Sequence, residues 1–262
     1  MFTSTQIDNH IQILRNDVFQ VDTKWPQFEL LIDDIVKLNK KLKKGSKIIS
    51  LERGLLYGGF SLIAPLFHNK HEMFTMDCSP PSADKSGAYN KSLVNNESFI
   101  KIKNSRRTSV NSLLKSHNKK YDCVIVPNLV HHVKDQESLF KLIKKLLKPS
   151  GRVYIFEALV REIHQKPDDF LRYTPYGLKF MLEKNNFSKF KIKQTGDVFG
   201  VIKYCWVQAF EYFPEKDRKK IKKWFYDDHE KKLKQFSKSF KSNLFRKQSE
   251  FPEAYSIEGT LI

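Results

Sequence analysis

No run in this sequence is long and apolar enough to cross a membrane. The longest weakly polar stretch, residues 54–67, has 14 residues and contains Pro65, against the roughly 18 apolar residues that a span needs. No secretory signal is visible either, because MFTSTQIDNHIQIL has no basic start followed by an apolar segment and a small-residue cleavage site; a cytoplasmic location is expected. Cysteine is scarce. Cys78, Cys123 and Cys205 stand far apart and form no C-x-x-C pair, which argues against a disulfide framework or a structural zinc site. No metal-ligand spacing appears elsewhere, so no metal is expected, and no internal repeat is visible. Arginine is scarce as well: 9 of the 47 basic residues, against 29 acidic ones, in a chain of net charge +18. Base reading and bidentate phosphate clamps lean on arginine. The charge therefore reads first as lysine on solvated helix faces (KLNKKLKK, KLIKKLL, KKIKKW) and second as a functional anion surface.

What the sequence does contain is a globular core. Hydrophobic residues make up 40% of 262 residues and aromatics 13%, and a chain of this size buries roughly 70% of its unfolded surface. Apolar residues at 28, 31, 32, 35, 38 and 42 follow helical spacing until Gly45. KIISL (47–51) then reads as a buried strand, followed by a glycine-rich turn and a helix over 60–67. MFTM (73–76) is a second strand ending at Asp77, and 79–97 is mainly loop. Residues 98–103 give a weaker third strand and YDCVIV (121–126) a fourth. A helix over 136–147 ends at Pro149-Ser150-Gly151, RVYIF (152–156) is a fifth strand, and a helix over 176–185, a strand over 187–192 and the alternating YSIEGTLI complete the pattern. Strands separated by helices at this spacing predict βαβ units. The fold class is α/β: a Rossmann-like doubly wound, mostly parallel seven-stranded sheet with helices on both faces. Residues 1–27 form an N-terminal helical extension, 28–199 the core and 251–262 its terminal strand. Between them, 200–250 is a helical insertion whose Ile221, Trp224, Phe225, Leu233, Phe236, Phe240 and Leu244 share one face. That stripe suits core packing or a homodimer contact, with a membrane-surface helix as the alternative.

A glycine-rich turn after the first strand and an acidic residue ending the second are what an open α/β sheet uses to hold a nucleoside-containing cofactor. Further along come YDCVIVPNLVHHV, LKPSGRVYIFEALV and DFLRYTPYGLKFMLEKNNF. In this order, these segments resemble the class I S-adenosylmethionine-dependent methyltransferases, over about residues 28–192 plus the last strand. The final segment is similar to a stretch found in small-molecule methyltransferases of glycan and cell-envelope biosynthesis. The resemblance implies S-adenosylmethionine as cofactor. Glu52 matches the acidic residue near its amino group, Gly54 and Gly58 the outer glycines of the cofactor loop, and Asp77 the carboxylate that takes the ribose hydroxyls. Pro127 and Asn128 follow the fourth strand, where the transferable methyl lies. Leu56 stands where the family has the middle glycine, and Asn104 and Ser105 where it often has an acidic residue near adenine.

Methyl transfer asks a protein to align the nucleophile, exclude water and remove a proton from a hydroxyl acceptor. His132 falls where the family places its histidine and reads either as base or orienter or as a packing residue. His164 sits with Asp168, Asp169, Arg172 and Tyr173 after the fifth strand, a candidate acceptor site. Arg172 either binds an acceptor carboxylate or phosphate or pairs with Asp169 to hold the loop. Three functions stand at this point. One is methyl transfer to a small-molecule acceptor such as a sugar or envelope precursor. The second is a catalytically lapsed binding or scaffolding relative, on the strength of Leu56. The third is an RNA methyltransferase, which the charge permits although no RNA module or base-methylation motif is present; nucleic acid is the least favoured partner.

Overall fold

The computed structural model of the chain describes residues 4–13, 26–52, 64–67, 70–78, 105–107, 109–163, 166–242 and 250–262. Helices are α1 (Ser4–Ile13), α2 (Pro26–Lys41), α3 (Val110–Ser116), α4 (Gln136–Leu146), α5 (Pro175–Lys184), α6 (Val198–Ala209), α7 (Glu215–Trp224) and α8 (Glu230–Ser242). Strands are β1 (Lys47–Glu52), β2 (Glu72–Asp77), β3 (Ser105–Arg107), β4 (Tyr121–Pro127), β5 (Leu147–Ala158), β6 (Phe187–Thr195) and β7 (Ala254–Leu261). They form one seven-stranded sheet in the order β3-β2-β1-β4-β5-β7-β6. Strands β3 to β5 are parallel in that order, and β7 enters antiparallel between β5 and β6. The expected α/β fold is thus the observed one. The third strand described is β3, while the stretch expected to form it, 98–103, lies outside the described residues.

Near-continuous apolar runs in β1 and β4 arise because both faces of a parallel sheet are covered. Ile49, Leu51, Val124, Val126 and Ile155 pack on one side with Leu139, Leu142 and Leu146 of α4 and Leu178 of α5. Ile48, Met73, Cys123, Ile125 and Phe156 pack on the other with Leu31, Ile35 and Leu38 of α2. Helix starts follow the sequence's caps: Asp135 accepts from Ser138 N at 3.0 Å, and Thr174 accepts from Gly177 N at 3.1 Å with Pro175 beginning the helix. The Pro149-Ser150-Gly151 stop lies inside β5 as a bulge, with Ser150 at φ 59°. A Cβ on Gly151 would sit 2.8 Å from the Lys148 carbonyl oxygen, so the bulge requires glycine there.

The insertion between β6 and β7 is α6, α7 and α8 around a small core of Phe210, Phe225 and Leu233. Helix α7 runs into α8 through a π-helical turn, Phe225–His229. That turn rotates α8, which follows it, relative to a straight helix, and the expected stripe is split: Phe225 and Leu233 are buried, whereas Phe236 beyond the turn and Trp224 before it are 51% and 46% exposed. Leu244 lies outside the described residues, as does the placement of the Phe240 side chain. Asp197 joins the insertion to itself, accepting from Phe199 N and Gly200 N at the start of α6 and from Ser237 Oγ of α8 at 2.5 Å. Among the described residues, no helix is long and apolar enough to cross a membrane.

One buried carboxylate ties α2 to the sheet. Asp34, 1% exposed, accepts hydrogen bonds from Ser256 Oγ of β7 at 2.6 Å and from Tyr154 OH of β5 at 3.4 Å, and it pairs with Lys193 of β6. Burial first, and then the Asp34 charge, push the Tyr154 phenol well above its ordinary pKa. Lys193 is partly exposed, so removing the buried carboxylate mainly leaves the buried Ser256 and Tyr154 hydroxyls without their acceptor, at about 1–3 kcal/mol. Asp34→Ala is therefore expected to lower the unfolding free energy by about that amount in urea titration; a loss below about 1 kcal/mol, the range of a surface pair, would contradict this.

Candidate functional site

Parallel strands end together, so their last residues line one edge. Glu52, Asp77 and Arg107 are register partners at the ends of β1, β2 and β3, and Pro127 partners Phe156 at the ends of β4 and β5. From β1 the chain proceeds outward one way to β2 and β3, and from β4 the other way to β5. The β1/β4 boundary is thus the point where strand order reverses, and in open α/β sheets that is where ligands bind, outside the carboxyl ends of the strands. The structure brings four of the expected cofactor residues to this edge: Glu52, Asp77, Pro127 and Asn128. Glu52 is buried and its carbonyl accepts from Cys78 N at 2.7 Å. Gly54, Leu56 and Gly58 lie outside the described residues.

Asn128 is the unusual member. It takes a left-handed conformation, φ 54°, open at low cost to asparagine, and its N–H donates to Phe156 O at 2.7 Å. Its side-chain Oδ1 is buried without a hydrogen-bond partner among the described residues. A buried acceptor left in this way costs free energy, unless a ligand donor completes it.

Beyond Asn128 the chain makes a short helical turn, Val130–His132, gripped by two segments. Glu157, near the end of β5 and 4% exposed, accepts from Val130 N at 2.7 Å through Oε1 and from His131 Nδ1 at 2.6 Å through Oε2. From the other side, His132 Nδ1 meets the Asp168 carbonyl at 2.5 Å, and Phe170 N donates to His131 O at 2.9 Å. Both partners of the imidazoles are acceptors, so each histidine carries a proton on Nδ1 and presents Nε2 as its basic nitrogen. The two rings are 3.9 Å apart, centroid to centroid, and buried.

Arg172 closes the cluster. Its Nη2 donates to Asp169 Oδ2 at 2.8 Å and to Glu162 O at 3.3 Å, and its Nη1 donates to Asp169 Oδ1 and to Leu171 O. Of the two roles the sequence allowed, the geometry has Arg172 paired with Asp169. Hydrogen bonding to Asp169 first, then the charges of Asp169, Glu157 and Glu162, raise the guanidinium pKa against an opposing effect of burial. Tyr204 of α6 donates to the Glu162 carboxylate, which carries the network into the helical insertion. His164 lies outside the described residues.

Sequence reasoning missed His131, Glu157, Glu162 and Tyr204. Glu157 had a signal: it is the one charged residue in the run VYIFEALV, where a strand interior gives no reason for a carboxylate. The structure also gathers what linear spacing could not, because a ring nitrogen from each of His131 and His132 and a carboxylate oxygen of Asp169 lie within 4.8 Å of one another. If Glu157 fixes the turn, Glu157→Ala, which strands Val130 N–H and His131 Nδ1–H, should destabilise the fold by about 2–3 kcal/mol. Glu157→Gln should keep the fold but turn a donor toward His131, moving its proton from Nδ1 to Nε2. Nitrogen-15 NMR of the imidazoles reads this directly, and an unchanged His131 tautomer would contradict the assignment.

The sequence model of a methyltransferase domain matches residues 27–191. No curated protein matches the chain. Among solved structures, the chain is similar to a SAM dependent methyltransferase from Archaeoglobus fulgidus, with 17% identity over 88% of this chain and 93% of that one and a TM-score of 0.49. It is also similar to Haemonchus contortus phosphoethanolamine N-methyltransferase 2 in complex with S-adenosyl-L-methionine, with 15% identity, 99% of this chain and 57% of that one covered, and a TM-score of 0.48. A third similar structure is the YcgJ protein of Bacillus subtilis, at 13% identity, covering 87% and 98% of the two chains, with a TM-score of 0.48.

Proposed function

The chain belongs to the methyltransferase-domain family, and from that premise we propose that it transfers a methyl group from S-adenosylmethionine to a small-molecule acceptor. The observation that carries the reading is the buried Asn128 Oδ1, without a partner among the described residues, at the carboxyl edge of the reversal point, which fits a cofactor rich in N–H and O–H donors. Glu52, Asp77, Pro127 and Asn128 would hold it, with Gly54 and Gly58 allowing close backbone approach and Asp77 taking the ribose hydroxyls. When bound, S-adenosylmethionine supplies an electrophilic methyl carbon on a sulfonium, so the chemistry is an in-line displacement.

The chain's own residues then have two tasks. Imidazole Nε2 of His132 or His131 accepts the proton of an acceptor hydroxyl, and Glu157 and the Asp168 carbonyl hold the two rings with Nδ1 protonated so that this nitrogen is the basic one. Arg172 acts as a positioning residue, keeping Asp169 and the loop around it folded over the turn, with His164 belonging to the same acceptor segment. The likeness of DFLRYTPYGL to stretches in glycan and envelope methyltransferases favours a sugar or envelope precursor as acceptor.

Calorimetry of the full chain with S-adenosylmethionine tests the reading. Wild type should bind one equivalent, and Asp77→Ala should weaken binding by about 1.5–3 kcal/mol, or roughly 10- to 150-fold, through loss of two charge-assisted hydrogen bonds. Leu56→Gly should change affinity by less than about tenfold; a large gain would show that Leu56 blocks the loop and favour a lapsed relative. Absence of wild-type binding would overturn the proposal. Arg172→Ala should reduce turnover while leaving cofactor affinity nearly unchanged, and weakened cofactor binding would place Arg172 on the wrong side of the site.

A further inference from the structure

We propose that His131, His132 and Asp169 form a binding site for a divalent transition-metal ion of the zinc class beside the acceptor position. The donor set is two imidazole nitrogens and a carboxylate oxygen within 4.8 Å of one another, brought together from the turn after β4 and the segment after β5. Two histidines and one carboxylate with no sulfur ligand suit Zn²⁺ or Co²⁺, and three protein ligands leave coordination positions open.

Two further features of the cluster support a metal. Both histidines are fixed at Nδ1, His131 by the Glu157 carboxylate at 2.6 Å and His132 by the Asp168 carbonyl at 2.5 Å. That is the outer support metal-bound histidines almost always have, and it leaves Nε2 as the ligating nitrogen. Formal charges come second. Glu157 and Asp169 against Arg172 leave the cluster at −1 in a chain of +18, and His131, His132 and Glu157 are all buried. A buried excess of negative charge in a basic protein matches a divalent cation.

In the methyl-transfer reading, on which only this role rests, the ion takes the place of the imidazoles as the group that activates the acceptor. Nε2 of both histidines is then committed to the metal, an open coordination position takes the acceptor oxygen and lowers its proton affinity, and the proton leaves to solvent. Metal binding itself is independent of that reading.

The test uses the full-length protein stripped of metal with a chelator and dialysed. Co²⁺ titration followed by visible d–d absorption, and Zn²⁺ titration by calorimetry, should each show one tight equivalent, and X-ray absorption of the Co²⁺ form should show two imidazole ligands. His132→Gln, which keeps the Asp169–Arg172 pair, and Asp169→Asn should each weaken binding at least tenfold. Wild type that takes up neither ion stoichiometrically, or binding that His132→Gln leaves at wild-type strength, overturns the site, and neither result depends on whether Asp169→Asn folds. Metal binding lost while S-adenosylmethionine binding persists removes this inference alone; metal binding without S-adenosylmethionine binding removes the methyl-transfer reading alone.

Discussion

A carboxylate buried near the end of β5 fixes the turn at the candidate functional edge of this molecule. Glu157 takes one hydrogen bond from a backbone amide and one from an imidazole of the turn after β4, so two neighbouring strand ends and the turn between them become one body. A carboxylate with so little exposure is stable only when its oxygens are satisfied, and the turn supplies that satisfaction. In return the turn has a single orientation. His131 and His132 cannot rotate without stranding their Nδ1 protons, and Asn128, held left-handed just upstream, keeps its Oδ1 in the protein interior.

From that body a chain of polar contacts runs outward. Asp168 and Phe170 dock the loop after β5 onto the two histidines, Asp169 and Arg172 brace the loop, and Glu162 meets Tyr204 on α6. The helical insertion is therefore coupled to the site by hydrogen bonds, while its own aromatic core around Phe210 and Phe225 packs separately. Asp34 plays the equivalent part at a distance, fixing α2 against β5, β6 and β7 so that the sheet presents its carboxyl edge as a rigid row.

Much of the fold was legible because it rests on local pattern. Helical spacing found α2, α4 and α5, and short apolar runs found β1, β2, β4, β5 and β6 to within a few residues. Local pattern failed where a backbone irregularity resets it: the bulge at Ser150 lets β5 begin at Leu147, and the π turn at Phe225–His229 shifts the phase of α8 so that Phe236 is half exposed. The site was legible only in part. Asp77, Pro127 and Asn128 could be placed because strand ends announce themselves, and His132 because it sits in a recognisable segment. The partnership of His131 with Glu157, 26 residues apart, and of both histidines with Asp169 depends on how β4, β5 and the following loop stack, which no spacing rule encodes.

On the proposed function, the reversal point between β1 and β4 is a cofactor site completed by the ligand's own donors. A crystal structure of the full chain grown with S-adenosylhomocysteine tests it most directly. The account predicts the nucleoside across the carboxyl ends of β1 and β2, with its ribose hydroxyls on Asp77 and a ligand donor within hydrogen-bond distance of Asn128 Oδ1. A ligand bound elsewhere, or bound there with Asn128 Oδ1 still unpartnered, would contradict it.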